Sequence, residues 1–324
     1  MENKIYIAYS TNEKCANLAN VSMTSVIENN KNQNIEFIIL HSDLKSSIIE
    51  KFEYYNKFEN VNVNITKVDE SLFKNFPISK WVTVQTWFRI AIPNLFPDIE
   101  KVLYLDCDTI VNNSLSELWN TDLNDNYIAA VKEIACMKDH LKRLKMKSNA
   151  YFNAGVLLIN CKKFREDNIF QKIENIIHSK KYHLTFSDQD VLNLIADEKK
   201  IILPMKYDYM EVWWHNGYFE YYGEDEKLYL EARENPTIVH LSGIKPNKKG
   251  CKNSQRENWW KYAKISNIHE DVLTEYNNSV EYHKKPSIWQ KIFASYSEHK
   301  NNIKWRVFNI FGIKIKIRLK VPQK

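Results

Sequence analysis

Apolar and polar positions along the chain fall into two alternating periods. Residues 4–9, Lys-Ile-Tyr-Ile-Ala-Tyr, form a nearly continuous apolar run that predicts a buried strand, and after the loop Ser10–Lys14 a helical pattern covers Ala16–Glu28. Ile35–Leu40 predicts a second strand, residues 44–57 a second helix, and Val61–Val68 a third strand whose apolar residues recur at every second position. A helix carrying Arg89 is expected over Thr83–Pro93, then a strand at Lys101–Leu105. Beyond these lie an apolar run at Ala154–Ile159, an amphipathic helix near 164–179, and a helix at 188–197 that opens on acids, as the positive end of a helix favours. Short strands are expected at Ile201–Pro204 and Thr237–Leu241. Strand and helix in alternation predict an open α/β sheet. Polar residues and Pro286 separate this region from a basic tail, dividing the chain into a domain at 1–265 and an extension at 266–324.

Composition narrows the function classes. The 324 residues suffice for a sizeable core, and 44% apolar with 27% charged residues is ordinary for a globular protein. With 6 Gly and neither a G-x-G-x-x-G nor a Walker-type loop, glycine-rich phosphate cradles are not expected. Five scattered cysteines without C-x-x-C speak against a disulfide framework or a zinc site. The N-terminus leads straight into a strand and no apolar run is long enough to span a bilayer, so a cytoplasmic location is expected. Charge is uneven. Residues 284–324 hold eleven Lys or Arg against Glu298, a net of +10, while the rest holds 35 bases against 39 acids, a net of −4. That distribution is not a nucleic-acid footprint, and no nucleic-acid partner is expected. In the tail, Trp289, Ile292, Phe293, Trp305, Val307, Phe308, Ile310 and Phe311 interleave with Lys and Arg, a basic amphipathic composition suited to the inner face of an anionic membrane. A packed terminal hairpin, with Ile313, Ile315 and Ile317 on an edge strand, is the alternative.

Asp106 and Asp108 follow the strand Lys101–Leu105, and in extended backbone residues two apart face the same side. Two adjacent carboxylates repel unless a divalent cation with hard oxygen ligands joins them. Strand carboxyl ends are also where open α/β sheets bind ligands. A D-x-D alone is a common pattern, and solvated loop acids or a helix cap would also account for it. The apolar residues on both flanks, Val102–Leu105 and Ile110-Val111, favour the metal reading.

Five stretches in fixed order then make a more specific pattern: Lys101–Asp108 (KVLYLDCD), Leu115–Asp125 (LSELWNTDLND), Tyr151–Arg165 (YFNAGVLLINCKKFR), Asp188–Asn193 (DQDVLN) and the His240 segment. Over about residues 5–250 the chain resembles glycosyltransferase family 8, a retaining group, and within it the bacterial lipooligosaccharide galactosyl- and glucosyltransferase branch. The resemblance implies a GT-A type nucleotide-sugar-binding fold with a mixed central sheet, a UDP-galactose or UDP-glucose donor, and a saccharide acceptor on a surface glycan, expected to be lipid-linked. It implies Mn²⁺, with Mg²⁺ as the other candidate, held by Asp106, Asp108 and His240, a ligand set whose imidazole and carboxylates suit that ion.

For the donor, the resemblance implies Ala8, Ser10 and Asn12 at the nucleoside, Cys107 beside the two acids, Gly243 and Lys245 at the diphosphate, and Arg89, Asn153, Ala154 and Gly155 at the sugar. Asp188 and Gln189 are the implied catalytic pair, Asp188 holding sugar hydroxyls and Gln189 stabilising positive charge on the ring, since an amide oxygen is a poor nucleophile. Glu133 falls where the family has an acceptor-binding acid, and the aromatics of residues 205–222 offer stacking surfaces for sugars. Three departures from the family pattern stand out: Ser10 where Asp is common, Glu13 where Tyr is common, and Gly243-Ile244-Lys245-Pro246-Asn247, one residue shorter between Gly and Lys and lacking the Pro-Trp ending. Two other readings of the D-x-D remain, a haloacid-dehalogenase-like phosphohydrolase and a non-catalytic membrane-peripheral scaffold. The first requires Thr two positions beyond the second Asp, whereas Thr109 follows Asp108 directly.

Overall fold

The computed structural model describes residues 4–79, 82–134, 138–211, 226–280, 293–300, 303–310 and 313–318. The chain divides into two compact units, 1–279 and 280–324.

Ten strands organise the described part of the first unit: β1 (Lys4–Ser10), β2 (Asn34–His41), β3 (Val61–Lys67), β4 (Lys101–Leu105), β5 (Thr109–Val111), β6 (Ile128–Lys132), β7 (Phe152–Asn160), β8 (Lys200–Leu203), β9 (Tyr209–Met210) and β10 (Ile238–His240). Seven of them form one mixed sheet in the order β3-β2-β1-β4-β7-β6-β8, and β5-β10-β9 form a small second sheet. The helices are α1 (Ala16–Asn29), α2 (Ser46–Glu53), α3 (Ile92–Leu95), α4 (Ser116–Trp119), α5 (Lys138–Leu144), α6 (Cys161–Glu166), α7 (Ile169–Ser179), α8 (Ser187–Ile195), α9 (Glu226–Glu234), α10 (Arg256–Ile265) and α11 (His269–Asn278).

Strand position explains strand composition. β1 lies between β2 and β4, parallel to both, and its Ile5, Ile7, Ala8 and Tyr9 are fully buried, which is why its apolar run is nearly unbroken. β3 is an edge strand with partly exposed residues, and its sequence alternates. β4 is parallel to β1 and antiparallel to β7. Chain order therefore reverses at β1 and β4, and such a switch point leaves a crevice at the carboxyl ends of the strands.

Several element boundaries differ from those expected. The helix expected over Thr83–Pro93 is a 3-10 segment, Val84–Ile90, followed by α3, whose first turn accommodates Pro93. The helix expected near 164–179 is broken in two at Asn168, which adopts a left-handed conformation (φ 51°) that Asn tolerates better than most residues. The second helix stops at Glu53, and a 3-10 turn covers Tyr54–Lys57. The expected boundary at 265/266 moves to 279/280. α11 belongs to the first unit because Val272 is fully buried and the Tyr276 ring packs edge-on at 5.5 Å from that of Trp260 in α10.

Helix α1 is buried on nearly every side, including its polar residues Asn20, Ser22, Thr24 and Ser25. The cause is β5, which has β10 on one edge and α1 along the other. Val111 donates its N–H to Ser25 Oγ (2.8 Å) and its carbonyl accepts from Asn29 Nδ2 (2.9 Å), while Leu115 N–H donates to Asn30 Oδ1 (2.8 Å). Helix side chains thus take the place of a missing neighbouring strand. A hydroxyl chain continues the seam. Thr109 Oγ1 donates to the Asp106 carbonyl (2.9 Å) and so accepts from Ser22 Oγ (3.1 Å), which in turn accepts from Tyr9 OH (2.9 Å).

The second unit contains an antiparallel three-stranded sheet, β11 (Phe293–Lys300), β12 (Ile303–Ile310) and β13 (Ile313–Arg318). Phe308 pairs with Ile315 and Arg306 with Ile317 across β12 and β13, and Ile315 is exposed. The edge strand of Ile313, Ile315 and Ile317 is therefore present, while Trp289, Ile292 and Phe311 lie outside the described residues. Among the described residues no helix is long and apolar enough to cross a membrane.

Replacing Ser25 by Ala would leave the Val111 N–H buried without a partner. Stability to urea is expected to fall by ~1–3 kcal/mol, read from the denaturation midpoint, and an unchanged midpoint would remove the seam's role in holding β5.

Candidate functional site

β1 and β4 end side by side, in register at Ile7 with Leu103 and Ala8 with Tyr104. A pocket of about 340 Å³ opens beyond their carboxyl ends. Seven residues expected at the donor site line it: Ser10, Asn12, Arg89, Asp106, Cys107, Asp108 and Lys245. Thr11, Cys15, Leu18, Thr83, Gln85, Thr86 and Tyr104 complete the wall and were not singled out from the sequence. Ala8 is the exception in the first loop, fully buried inside β1 and absent from the lining. Asn12 Oδ1 accepts the N–H groups of Lys14 (3.0 Å) and Cys15 (3.2 Å), shaping the turn into α1. Ser10 Oγ is buried with no hydrogen-bond partner in the protein, a hydroxyl with both donor and acceptor capacity at the pocket wall. Glu13 reaches away, pairing with Lys45 at 3.1 Å on the surface.

The small sheet brings the third predicted metal ligand to the acidic pair. β10 runs antiparallel to β5 with His240 opposite Thr109, and Leu241 N–H donates to the Asp108 carbonyl at 2.8 Å. His240 Nε2 consequently lies 3.5 Å from Asp108 Oδ1 and 4.0 Å from Asp106 Oδ2, and one ligand atom of each of the three residues falls within 4.8 Å of the others. The far ring nitrogen, Nδ1, is 3.1 Å from Asp208 Oδ1. A carboxylate behind an imidazole, turning the opposite nitrogen toward two further carboxylates, is the arrangement found behind metal-ligating histidines. The donor set therefore fits a divalent cation.

Electrostatics at the cluster depends on which cations face which acids. Burial opposes ionisation of Asp108, but His240 and Lys245, the latter bonded to Asp108 Oδ2, hold its carboxyl well below the usual range. Burial would lower the His240 pKa, yet Asp108 and Asp208 raise it well above its ordinary value. Asp208, only 2% exposed, is raised by burial against the pull of His240, and its Oδ2 has no hydrogen-bond partner. Sequence reasoning missed Asp208. An acid between Tyr207 and Tyr209 was a readable signal, since a lone carboxylate in an aromatic run must find a partner if it is buried.

Arg89 is not free to point at a ligand in the way expected of it. Its guanidinium is buried, donating from Nη2 to Asp106 Oδ1 (2.9 Å), from Nε to the Thr86 carbonyl (3.0 Å) and from Nη1 to the Ala154 carbonyl. It also lies 4.3 Å from the Tyr104 ring centroid, and Tyr104 OH donates to the same Asp106 oxygen at 3.1 Å. Nε stands 3.2 Å from Asp188 Oδ2, an ion pair without hydrogen-bond alignment, so that oxygen remains unsatisfied. Burial, against Arg89 and with help from Asp106, pushes Asp188 up to about 6.

The remaining predicted residues sit behind the pocket wall. Asn153 Oδ1 accepts the Gly155 N–H (2.7 Å) and its Nδ2 donates to Glu133 Oε2 (2.7 Å), so the amide expected on sugar hydroxyls links the Glu133 carboxylate to β7. Gln189 Oε1 accepts the Ala154 N–H at 2.9 Å. The space expected beside Gly155 for a sugar ring is filled by His240: a Cβ added there would stand 2.3 Å from His240 Cε1 and 2.7 Å from Nδ1. At Gly243 the demand is conformational, since φ is +83° and nothing lies within 4 Å of where a Cβ would stand. In the aromatic stretch, residues 212–222 fall outside the described residues.

Gly155→Ala would force the His240 ring off its seat between Asp208 and the acidic pair. A stability loss of about 1–3 kcal/mol is expected, together with displaced His240 ring resonances in ¹⁵N NMR; unshifted resonances would show that the ring is seated by something else.

Comparison with known proteins agrees with this geometry. Residues 6–249 match the family model described as Glycosyl transferase family 8. A putative glycosyltransferase of Haemophilus influenzae is 31% identical over 207 residues, 63% of this chain and 62% of that protein. A lipopolysaccharide 1,2-glucosyltransferase of Escherichia coli K12 is 25% identical over 206 residues, 62% of this chain and 61% of its own length. The matches thus span less than two thirds of these relatives. The crystal structure of the galactosyltransferase LgtC in complex with donor and acceptor sugar analogs covers 84% of this chain and 100% of its own, at 24% identity and a TM-score of 0.74, a likeness of fold. With a mixed-sheet α/β fold of the GT-A type and a family match over residues 6–249, the chain belongs to glycosyl transferase family 8.

Proposed function

We propose that the chain is a retaining hexosyltransferase that moves galactose or glucose from a UDP-sugar to a saccharide acceptor of a lipopolysaccharide, lipooligosaccharide or other surface glycan. The observation that carries this reading is the convergence of Asp106, Asp108 and His240 beside a pocket at the β1/β4 switch point. Family membership and the commitment of Asp106 to Arg89 and Tyr104 both weigh against the phosphohydrolase, which requires a free nucleophilic acid.

In this reading Asp106, Asp108 and His240 hold Mn²⁺ or Mg²⁺, with Asp208 orienting the imidazole. A bound cation supplies Lewis-acid neutralisation of the charge that builds on the departing diphosphate. Lys245, at Asp108, adds a second positive charge there. Ser10, Thr11, Asn12 and Cys107 line the nucleoside end. Arg89 acts through the carboxylates of Asp106 and Asp188, and the unsatisfied Asp188 Oδ2 is free to accept a sugar hydroxyl. The acceptor oxygen attacks the anomeric carbon on the face that the diphosphate leaves, and the acceptor's proton passes to the departing phosphate oxygen. The new bond then has the configuration of the old. Gln189 stabilises the positive charge on the ring, and Glu133, tethered by Asn153, receives the acceptor. The basic β11–β13 unit holds the enzyme at an anionic membrane face, beside a lipid-linked acceptor.

A panel of nucleotide sugars with Mn²⁺, scored for slow hydrolysis without acceptor, is expected to give UDP release from UDP-galactose or UDP-glucose. Asp108→Ala is expected to abolish it with the circular dichroism spectrum unchanged, and full activity in excess chelator would overturn the metal assignment. A chain ending at Ser279 is expected to keep turnover on a soluble acceptor while losing cosedimentation with anionic vesicles; equal cosedimentation of both forms would remove the membrane role of the second unit.

A further inference from the structure

Behind Gln189 lies a row of polar side chains that the proposed reaction does not use. Asp190 is fully buried and Tyr151 and His140 nearly so. Asp190 Oδ1 lies 2.7 Å from His140 Nε2 and accepts from Tyr151 OH at 2.5 Å, while Oδ2 accepts the Phe186 N–H at 2.8 Å. On the outer side, Arg143 Nη2 is 2.5 Å from His140 Nδ1 and 3.1 Å from Thr185 Oγ1. On the inner side, Gln189 Nε2 is 3.3 Å from Tyr151 OH, and Gln189 Oε1 accepts the Ala154 N–H at 2.9 Å. The row runs from the exposed face of α5, through α8, to the start of β7.

Donor and acceptor identities propagate along it in one direction. A guanidinium has hydrogens and no acceptor, so His140 Nδ1 must accept, and the ring's proton sits on Nε2, facing Asp190. Asp190 accepts at every contact. Tyr151 has a single hydroxyl hydrogen and gives it to Asp190, which leaves its oxygen to accept from Gln189 Nε2. The carboxamide is thereby set at both ends: amino group to Tyr151, carbonyl to Ala154 N–H. Asn193, one turn further along α8, clamps the same stretch of β7 by accepting Phe152 N–H (2.8 Å) and donating to the Phe152 carbonyl (2.9 Å).

We infer that His140, Asp190 and Tyr151 form a positioning relay that fixes the orientation of the Gln189 carboxamide and ties it to helix α5. The inference rests on the proposed role of Gln189 at the donor sugar. His140, Asp190 and Tyr151 touch no reacting atom and act through Gln189 alone. A group misplaced by a fraction of an ångström to one ångström loses rate while binding survives.

The test is a double-mutant cycle in UDP-sugar turnover. Tyr151→Phe removes the hydroxyl and keeps the ring, and is expected to lower kcat about tenfold to a hundredfold with the donor KM within twofold. His140→Ala is expected to act in the same direction, and His140→Gln, whose Nε2–H can still donate to Asp190, to recover most of the loss. In a Gln189→Ala background Tyr151→Phe is expected to change nothing further, because a relay that acts through Gln189 has nothing left to orient. Gln189→Ala with wild-type kcat would overturn the role of Gln189 itself. An impaired Gln189→Ala beside a wild-type Tyr151→Phe, or additive losses in the double variant, would overturn the relay and leave that role standing. The Gln189 side-chain amide resonances give a readout independent of turnover, and they should shift in folded Tyr151→Phe; unmoved resonances would also overturn the relay.

Discussion

The first unit is organised around a concentration of negative charge at the carboxyl ends of two strands. Asp106, Asp108, Asp188 and Asp208 converge on one partly dehydrated place, where like charges raise one another's pKa and an unpaired carboxylate is expensive to bury. Each has been given a cation from a different element: Arg89 from the 3-10 segment Val84–Ile90, His240 from β10, and Lys245 from the loop after it. The charges on those three residues offset the repulsion only if the elements that carry them are held at the strand ends. The small β5-β10-β9 sheet, the Gly155 gap that receives the imidazole, and the polar seam along α1 all serve to hold them.

That constraint explains why residues with similar motif standing do different work. Asp108 faces His240 and Lys245 and its carboxyl is held ionised, whereas Asp188, deeper and with one oxygen unsatisfied, is pushed up to about 6. Asp190, two residues on, is fully buried yet accepts from His140, Tyr151 and the Phe186 N–H, so it is a structural anchor. The acids of the DQD run look alike in the sequence. Burial and partner geometry assign them separate roles.

The same logic separates the predicted site residues into two groups. Ser10, Asn12, Arg89, Asp106, Cys107, Asp108 and Lys245 share one pocket, while Asn153, Gly155 and Gln189 stand behind it, with their side chains or their lack of one used to seat Glu133, His240 and Ala154. Pattern matching singled out both groups because both are needed for the site to exist. It did not distinguish the wall from its supports. Asp208 and Tyr104 illustrate the converse: they touch His240 and Asp106 directly, yet nothing in their immediate sequence marks them, because the contact is made across sheets or through a ring two residues away on the same strand.

Local periodicity by itself determined the order and kind of most elements of the α/β region, since a strand buried on both faces must be apolar throughout and a helix must show its inner face every third or fourth residue. It also determined that Asp106 and Asp108 follow a buried strand, and that positive charge is gathered in the last forty-one residues. Tertiary structure decided what those local signals leave open. It brought His240 to the acidic pair by pairing β10 with β5, placed Asp208 behind the imidazole, turned Arg89 inward, broke the predicted helix at Asn168, and extended the first unit to Ser279. Each of these depends on contacts between residues far apart in the chain, whose energies are set by burial and hydrogen-bond geometry that no single stretch of sequence carries.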